Sequence, residues 1–157
     1  MALLTFKGGI HPDDGKRLAK DKAITEVKPK GNLVYPLSQH IGAPAAPVVS
    51  VGDHVLRGQK IAEAGGFVSA PIYASVSGTV KAIEPHFNPT GAKVNCIVVE
   101  NDEQYEEVEY GPVKPLEEMT KEEILNAIGE AGIVGMGGAG FPTRVKLSPK
   151  EPDKIDY

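Results

Sequence analysis

The chain has 157 residues, 41% hydrophobic and 24% charged, with a formal net charge of −4; that suits one ordinary domain, or a small domain plus part of another. No run approaches the roughly 18 apolar residues of a membrane span, Met1–Lys7 lacks the basic and apolar regions of a secretory signal, and the interspersed charges form no basic stripe, which excludes nucleic acid as a partner. Cys96 is the single cysteine, so these residues alone can form neither a disulfide nor an iron–sulfur cluster, which normally takes four thiolates.

Residues 1–36 read as a polar arm with little periodicity, turn-rich at Gly8–Asp14 and lysine-rich from Lys16 to Lys30. His11 with Asp13 and Asp14 is too sparse a set for a metal site, and no metal is expected.

Residues 37–100 change texture to short apolar runs punctuated by glycine. Val48–Val51 leads into a turn at Gly52-Asp53, and Val55 precedes a second turn at Arg57-Gly58-Gln59. Ile61-Ala62, Ile72–Ser75, a turn at Ser77-Gly78, Thr79–Ile83 and Cys96–Glu100 complete the series. Short strands at this spacing predict a compact all-β sandwich or barrel, with Pro44, Pro47 and Pro71 at strand starts or edges. Val51–Val55 and Val76–Val80 echo each other, which suggests two similar β units on one core. Cys96 lies in a β-branched run and is expected to be a buried strand residue. His40, Asp53 and His54 are expected to be turn and surface residues.

Residues 101–119 form an acidic, proline-bearing linker whose charge is expected to be solvated. Thr120–Glu123 then has the pattern of a capping box. Ile124, Leu125 and Ile128 recur at helical spacing, and Gly132 supplies a stop. Five glycines in the nine residues Gly132–Gly140 follow, closed by Phe141-Pro142-Thr143. Glycines clustered in this way can turn several backbone N–H groups toward one anion.

Two stretches carry resemblances. Val51–Ala62 followed by Ile72–Val80 resembles biotinyl and lipoyl carrier domains, which are barrel-sandwich hybrids. Their carrier lysine stands eleven residues before the glycine matching Gly78; here that position is Phe67, and no lysine lies between Lys60 and Lys81. The fold is therefore expected without the activity, and no covalent biotin or lipoate is expected.

Gly132–Leu147 resembles the glycine-rich segment of the flavin-binding subunit of respiratory complex I. The family pattern is Gly-Leu-Arg-Gly-Arg-Gly-Gly-Ala-Gly-Phe-Pro-Thr-Gly-Leu-Lys-Trp. Ten residues match: Gly132, Gly135, Gly137, Gly138, Ala139, Gly140, Phe141, Pro142, Thr143 and Lys146. Val134 and Met136 replace arginines, Arg144 a glycine and Leu147 a tryptophan. The resemblance implies FMN and NAD(H) contacts through Gly135, Gly137, Gly138, Ala139, Gly140, Phe141 and Lys146. Phe141 falls on the nicotinamide-nucleotide side and Lys146 at the FMN phosphate.

Together with Gly8–Pro12, Pro36–Ala45 and Gly66–Pro71, these stretches make the whole chain resemble the N-terminal part of the RnfC subunits of the Rnf ion-translocating electron-transport complexes. The fold expected is mainly β: a barrel-sandwich hybrid at 37–100, then, at 120–157, the opening helix and glycine loop of an α/β nucleotide-binding domain cut short. The resemblance implies a ferredoxin:NAD oxidoreductase subunit, peripheral on the cytoplasmic face of a bacterial membrane, coupled to Na⁺ or H⁺ translocation. It implies FMN, NAD(H) and two [4Fe–4S] clusters, the clusters beyond residue 157, and as partners other Rnf subunits and, indirectly, ferredoxin. No acid, base or nucleophile is implied, because the cofactors do the chemistry. The chain ends fourteen residues after Thr143, so it is expected to be an inactive piece that binds no cofactor alone. The alternative is a non-catalytic scaffold or docking role, like that of the related A-type subunit in the Na⁺-pumping NADH:quinone reductase.

Overall fold

A computed structural model of the protein describes residues 12–151, 154 and 155; His11 lies outside them. Among these residues the strands are β1 (Asn32–Pro36), β2 (Ala46–Pro47), β3 (His54–Val55), β4 (Lys60–Glu63), β5 (Ile72–Tyr73), β6 (Gly78–Phe87) and β7 (Lys93–Asn101). The helices α1 (Lys121–Glu130) and α2 (Thr143–Lys146) follow. The strands form a four-stranded sheet in the order β1-β7-β6-β3 and a three-stranded sheet in the order β2-β4-β5. Every pairing within them is antiparallel.

Both sheets close on one core. Tyr35 of β1, Val55 of β3, Ile61 and Ala62 of β4, Ile72 of β5, Val80 of β6 and Ile97 and Val99 of β7 form a single buried cluster. The β-branched run of β7 places it centrally between β1 and β6, as its burial through Cys96–Val99 requires. Cys96 is buried and free, the strand role its sequence predicts. Proline obeys the sheet as well. Pro47 ends the edge strand β2, and Pro85 sits in β6 beyond its pairing with β3, so its missing N–H breaks no ladder.

The two echoing units lie side by side. His54 pairs with Thr79 and Val55 with Gly78; the Gly52 N–H donates to the Val80 carbonyl at 2.8 Å, and the Val80 N–H to the Asp53 carbonyl at 2.8 Å. Gly52 makes its turn with φ +96°, whereas Gly78 is the first residue of β6 rather than part of a turn. Strand structure near position 48 also falls earlier than the apolar run: β2 is Ala46–Pro47.

Asn32–Pro36, part of the expected arm, is a strand of the main sheet, paired with β7 from Asn32↔Glu100 to Pro36↔Cys96. Residues 12–32 before β1's interior are exposed throughout. The acidic stretch after β7 is also pinned to the barrel. Glu107 bridges Arg57 in parallel, the Val108 N–H donates to the Arg57 carbonyl at 3.0 Å, and Arg57 and Glu107 form an ion pair at 2.6 Å. That cation holds the Glu107 carboxyl below the usual carboxylate range.

The capping box forms as its pattern requires: the Glu123 N–H donates to Thr120 Oγ1 at 3.2 Å, and the Thr120 N–H to Glu123 Oε2 at 2.7 Å. The Thr120 N–H and Lys114 keep the Glu123 carboxyl below its ordinary range. At the other end the Ile133 N–H returns to the Ile128 carbonyl and the Gly132 N–H to the Gly129 carbonyl, with Gly132 at φ +67°. This is a Schellman closure. Thr120→Ala is expected to destabilise α1 by about 1 kcal/mol, read as faster amide hydrogen exchange through Lys121–Glu130 with the β7 amides unchanged.

Candidate functional site

The glycine loop is closed by local hydrogen bonds. The Gly135 N–H donates to the Phe141 carbonyl at 3.0 Å, the Thr143 N–H to the Ile133 carbonyl at 3.0 Å, and Val134 and Pro142 form an antiparallel bridge. Between these ties the backbone is exposed and turns twice into the left-handed region, with Gly138 and Gly140 both at φ +62°. A side chain would be strained at either position. The N–H groups of Met136 through Phe141 have no acceptor among the described residues. Nothing lies within 4 Å of a Cβ placed at Gly137 or Gly138. Six consecutive donors without an acceptor among the described residues therefore lie on an open backbone with alternating sign of φ, the conformation from which anion-binding nests are built.

The loop is anchored to the barrel on two sides. Through α1, the Tyr73 hydroxyl donates to the Glu130 carbonyl, and Lys60 pairs with Glu130 at 2.5 Å. Burial pushes the Tyr73 hydroxyl up, and the hydrogen bond to Glu130 raises Lys60. A Cβ at Gly132 would lie 2.7 Å from the Pro71 carbonyl oxygen, so helix and hairpin meet where only glycine fits. On the loop's far side the Ile41 N–H donates to the Ala139 carbonyl at 3.0 Å.

Two clefts flank this assembly. One, of about 350 Å³, lies between the β4–β5 hairpin and the C-terminal segment; Lys60, Phe67, Ile133, Arg144 and Val145 are among its walls. The other, of about 890 Å³, has Gly135, Gly138, Ala139 and Gly140 of the loop on one side and barrel residues on the other. Of the residues singled out from the sequence, these four come together in the larger groove. Gly137 sits at the loop tip, Phe141 is partly exposed, and Lys146 lies exposed on α2; none of the three lines that groove. Among the described residues no carboxylate pairs with Lys146.

Arg144 does not take the place of the arginines missing from the loop. Its side chain covers Gly129, with Cδ 2.6 Å from a Cβ placed there, and it borders the smaller cleft. Phe67, at the position of a carrier lysine, is exposed. His54 pairs with Asp102 at 3.1 Å, and Asp53 accepts the Ser50 N–H at 2.8 Å, the turn and surface roles expected of them. His40 is engaged differently: its ring links two backbone segments beside the loop. Among the described residues no cluster of His, Cys, Asp or Glu could hold a metal ion, and no helix is long and apolar enough to cross a membrane.

Comparison with known proteins agrees with the barrel fold. The family model for the RnfC barrel sandwich hybrid domain matches residues 4–104. The C subunit of the proton-translocating ferredoxin:NAD(+) oxidoreductase complex of Clostridium ljungdahlii is 48% identical over 156 residues, covering 98% of this chain and 34% of the relative. The C subunit of the Na(+)-translocating ferredoxin:NAD(+) oxidoreductase complex of Acetobacterium woodii is 42% identical over 153 residues, with 97% and 34% covered. The C subunit of the ion-translocating oxidoreductase complex of Vibrio cholerae is 42% identical over 147 residues, with 92% and 19% covered. The chain thus spans about a third, or less, of the length of these relatives.

Proposed function

The chain belongs to the RnfC family, and on that premise we propose that it is the barrel and flavin-loop portion of the NAD-linked subunit of a membrane-bound ferredoxin:NAD oxidoreductase that translocates Na⁺ or H⁺. The observation that carries this reading is the row of N–H groups from Met136 to Phe141, without an acceptor among the described residues, on an open glycine backbone. That row fits the phosphate of FMN, since backbone donors without side chains approach an anion closely. Lys146, on the helix that follows the loop and free of carboxylate partners among the described residues, adds a point charge for the same dianion. Phe141, next to the loop and partly exposed, offers an aromatic face to the nicotinamide nucleotide.

When bound, FMN supplies the conversion between hydride transfer with NAD(H) and single-electron steps. The protein's own residues bind and orient: the glycines keep the loop backbone bare, and α1 and the barrel hold it in place. The two [4Fe–4S] clusters that this reading implies are not held by residues 1–157, since one cysteine cannot ligate them. Residues 120–157 are accordingly the start of the nucleotide-binding domain, and residues 37–100, with β1, the barrel. With Phe67 where a carrier lysine would stand, the barrel carries no biotin or lipoate. It serves as a docking and supporting element among the other Rnf subunits on the cytoplasmic membrane face, with ferredoxin reached indirectly.

The test is flavin fluorescence titration of the full-length protein and its Lys146→Ala variant. The variant is expected to bind FMN about tenfold more weakly, the loss of one charge-assisted contact, with unchanged circular dichroism. Equal affinities would remove Lys146 from the site. Absence of FMN binding in the full-length protein would favour the scaffold role instead.

A further inference from the structure

The run Pro36–Ala45 has no part in the phosphate reading, yet it is what the glycine loop rests on. The Ile41 N–H holds the Ala139 carbonyl at 3.0 Å. The Gln39 carbonyl oxygen lies 3.1 Å from a Cβ placed at Gly140, so a side chain at 140 would push the loop off the barrel. Between these two residues, His40 accepts the Ala70 N–H on Nε2 at 3.1 Å. That bond leaves the ring proton on Nδ1, which faces the Ile41 carbonyl at 3.1 Å. One imidazole in one tautomer therefore ties the end of the β4–β5 hairpin to the peptide that carries the loop.

The groove enclosed by this contact, about 890 Å³, is within the range of small-molecule sites. Its barrel wall is formed by Gln39, His40 and Ile41 and by the β6–β7 turn at Asn88 and Thr90, and Met136 overhangs from the loop. Among the described residues no Asp, Glu, Lys or Arg lines it, although 24% of the chain is charged. Such a wall, of amides, hydroxyls, an imidazole and apolar surface, suits a ligand body with hydroxyls and ring heteroatoms but no charge. A second ionised group buried there would have no partner.

We infer that the barrel is half of the nucleotide site: Gln39–Ile41 and the Asn88–Thr90 turn receive the uncharged sugar-like and heterocyclic body of the nucleotide whose phosphate the loop holds, with His40 as the positioning residue. This rests on the loop reading above and deepens it. The barrel then sets ligand affinity directly, in addition to any docking role.

The experiment places a negative charge in the wall without changing shape. The Asn88 Oδ1 accepts the Thr90 N–H at 3.1 Å, the Thr90 hydroxyl at 2.7 Å and the Ala92 N–H at 3.0 Å, so Asn88→Asp keeps the turn intact. Gln39→Glu is the second isosteric probe. In the full-length protein, FMN affinity is measured by fluorescence on the flavin-free form and the KM for NADH with ferricyanide as acceptor on the flavin-loaded form, which separates the two nucleotides as occupants. Each variant is expected to weaken one of the two by about fivefold or more through repulsion of the anionic ligand. His40→Ala is expected to weaken the same nucleotide by raising its KM or Kd with kcat unchanged, and His40→Gln, which restores an acceptor for the Ala70 N–H, to recover most of the loss. Gly138→Val in the loop is the control. If it weakens binding while Asn88→Asp and Gln39→Glu stay within about twofold of the parent on both nucleotides, a change too small for a charge facing the ligand, the barrel wall is overturned and the loop reading stands. If Gly138→Val is equally silent, both fall.

Discussion

Alanine at position 78 is expected to destabilise the protein by about 3 kcal/mol, whereas alanine at position 52 costs about 1 kcal/mol. Both glycines have positive φ, +153° at Gly78 and +96° at Gly52, so backbone preference alone would rank them together. Their surroundings differ. A Cβ at Gly52 meets nothing within 4 Å, while one at Gly78 overlaps the Glu100 carbonyl oxygen and comes within 2.9 Å of the Glu100 carbonyl carbon and 3.1 Å of Asn101 Cα. Position 78 is paired on both sides, to Val55 of β3 and Asn101 of β7, so the backbone it would strike cannot move without opening the main sheet. Against a typical total stability of about 5–15 kcal/mol, a loss of 3 is severe. Urea denaturation of the two variants reads the difference; equal midpoints would mean that close approach contributes nothing at Gly78.

What could be read from sequence follows the range of the interactions involved. The capping box at Thr120 and Glu123 and the stop at Gly132 are decided by residues within five positions of each other and the closure of the loop after it by residues within ten, and the structure shows each of them. The buried strands likewise announce themselves, because Val55, Ile61, Val80, Ile97 and Val99 are apolar where they face the core. β1 does not, since only Tyr35 of Asn32–Pro36 is buried and a proline ends the strand. Its strand state comes from the row of backbone groups that β7 presents, some sixty residues later in the chain. The barrel wall of the groove was hidden for the same reason. Gln39, His40, Asn88 and Thr90 acquire a shared role only when the fold sets them opposite a loop about fifty or more residues away. The one sign available in sequence is the run Pro36–Ala45, whose Leu37 and Ala45 belong to the core while polar Gln39 and His40 stand between them.

The acidic stretch after β7 shows the same limit and supplies the second large effect. Its composition reads as solvated linker, yet it is fastened at Ser77, a fully buried hydroxyl. Ser77 Oγ donates to Asp102 Oδ1 at 2.7 Å and accepts the Glu106 N–H at 3.0 Å, and the Asp102 N–H returns to the Ser77 carbonyl at 3.2 Å. Ser77→Ala removes two of these bonds and leaves the Glu106 N–H without its partner, an expected cost of about 2 kcal/mol near neutral pH.

The cost should depend on pH. The Ser77 hydroxyl is the largest influence holding the Asp102 carboxyl below its ordinary range, with the Gln104 N–H and His54 adding to it. A carboxyl lowered in the folded state adds stability that is complete above its unfolded pKa, about 4, and is lost as pH falls through the lower folded value. Without Ser77 the folded value rises toward the unfolded one, so the variant has less to lose in acid. The stability gap between parent and variant should therefore narrow as pH drops from about 6 to about 2.5. A gap that stays constant over that range would show that Ser77 acts through the Glu106 amide alone. A gap that narrows would show that the Ser77–Asp102 contact, beside the Arg57–Glu107 pair, helps to fasten the chain where it leaves the barrel toward α1 and the glycine loop.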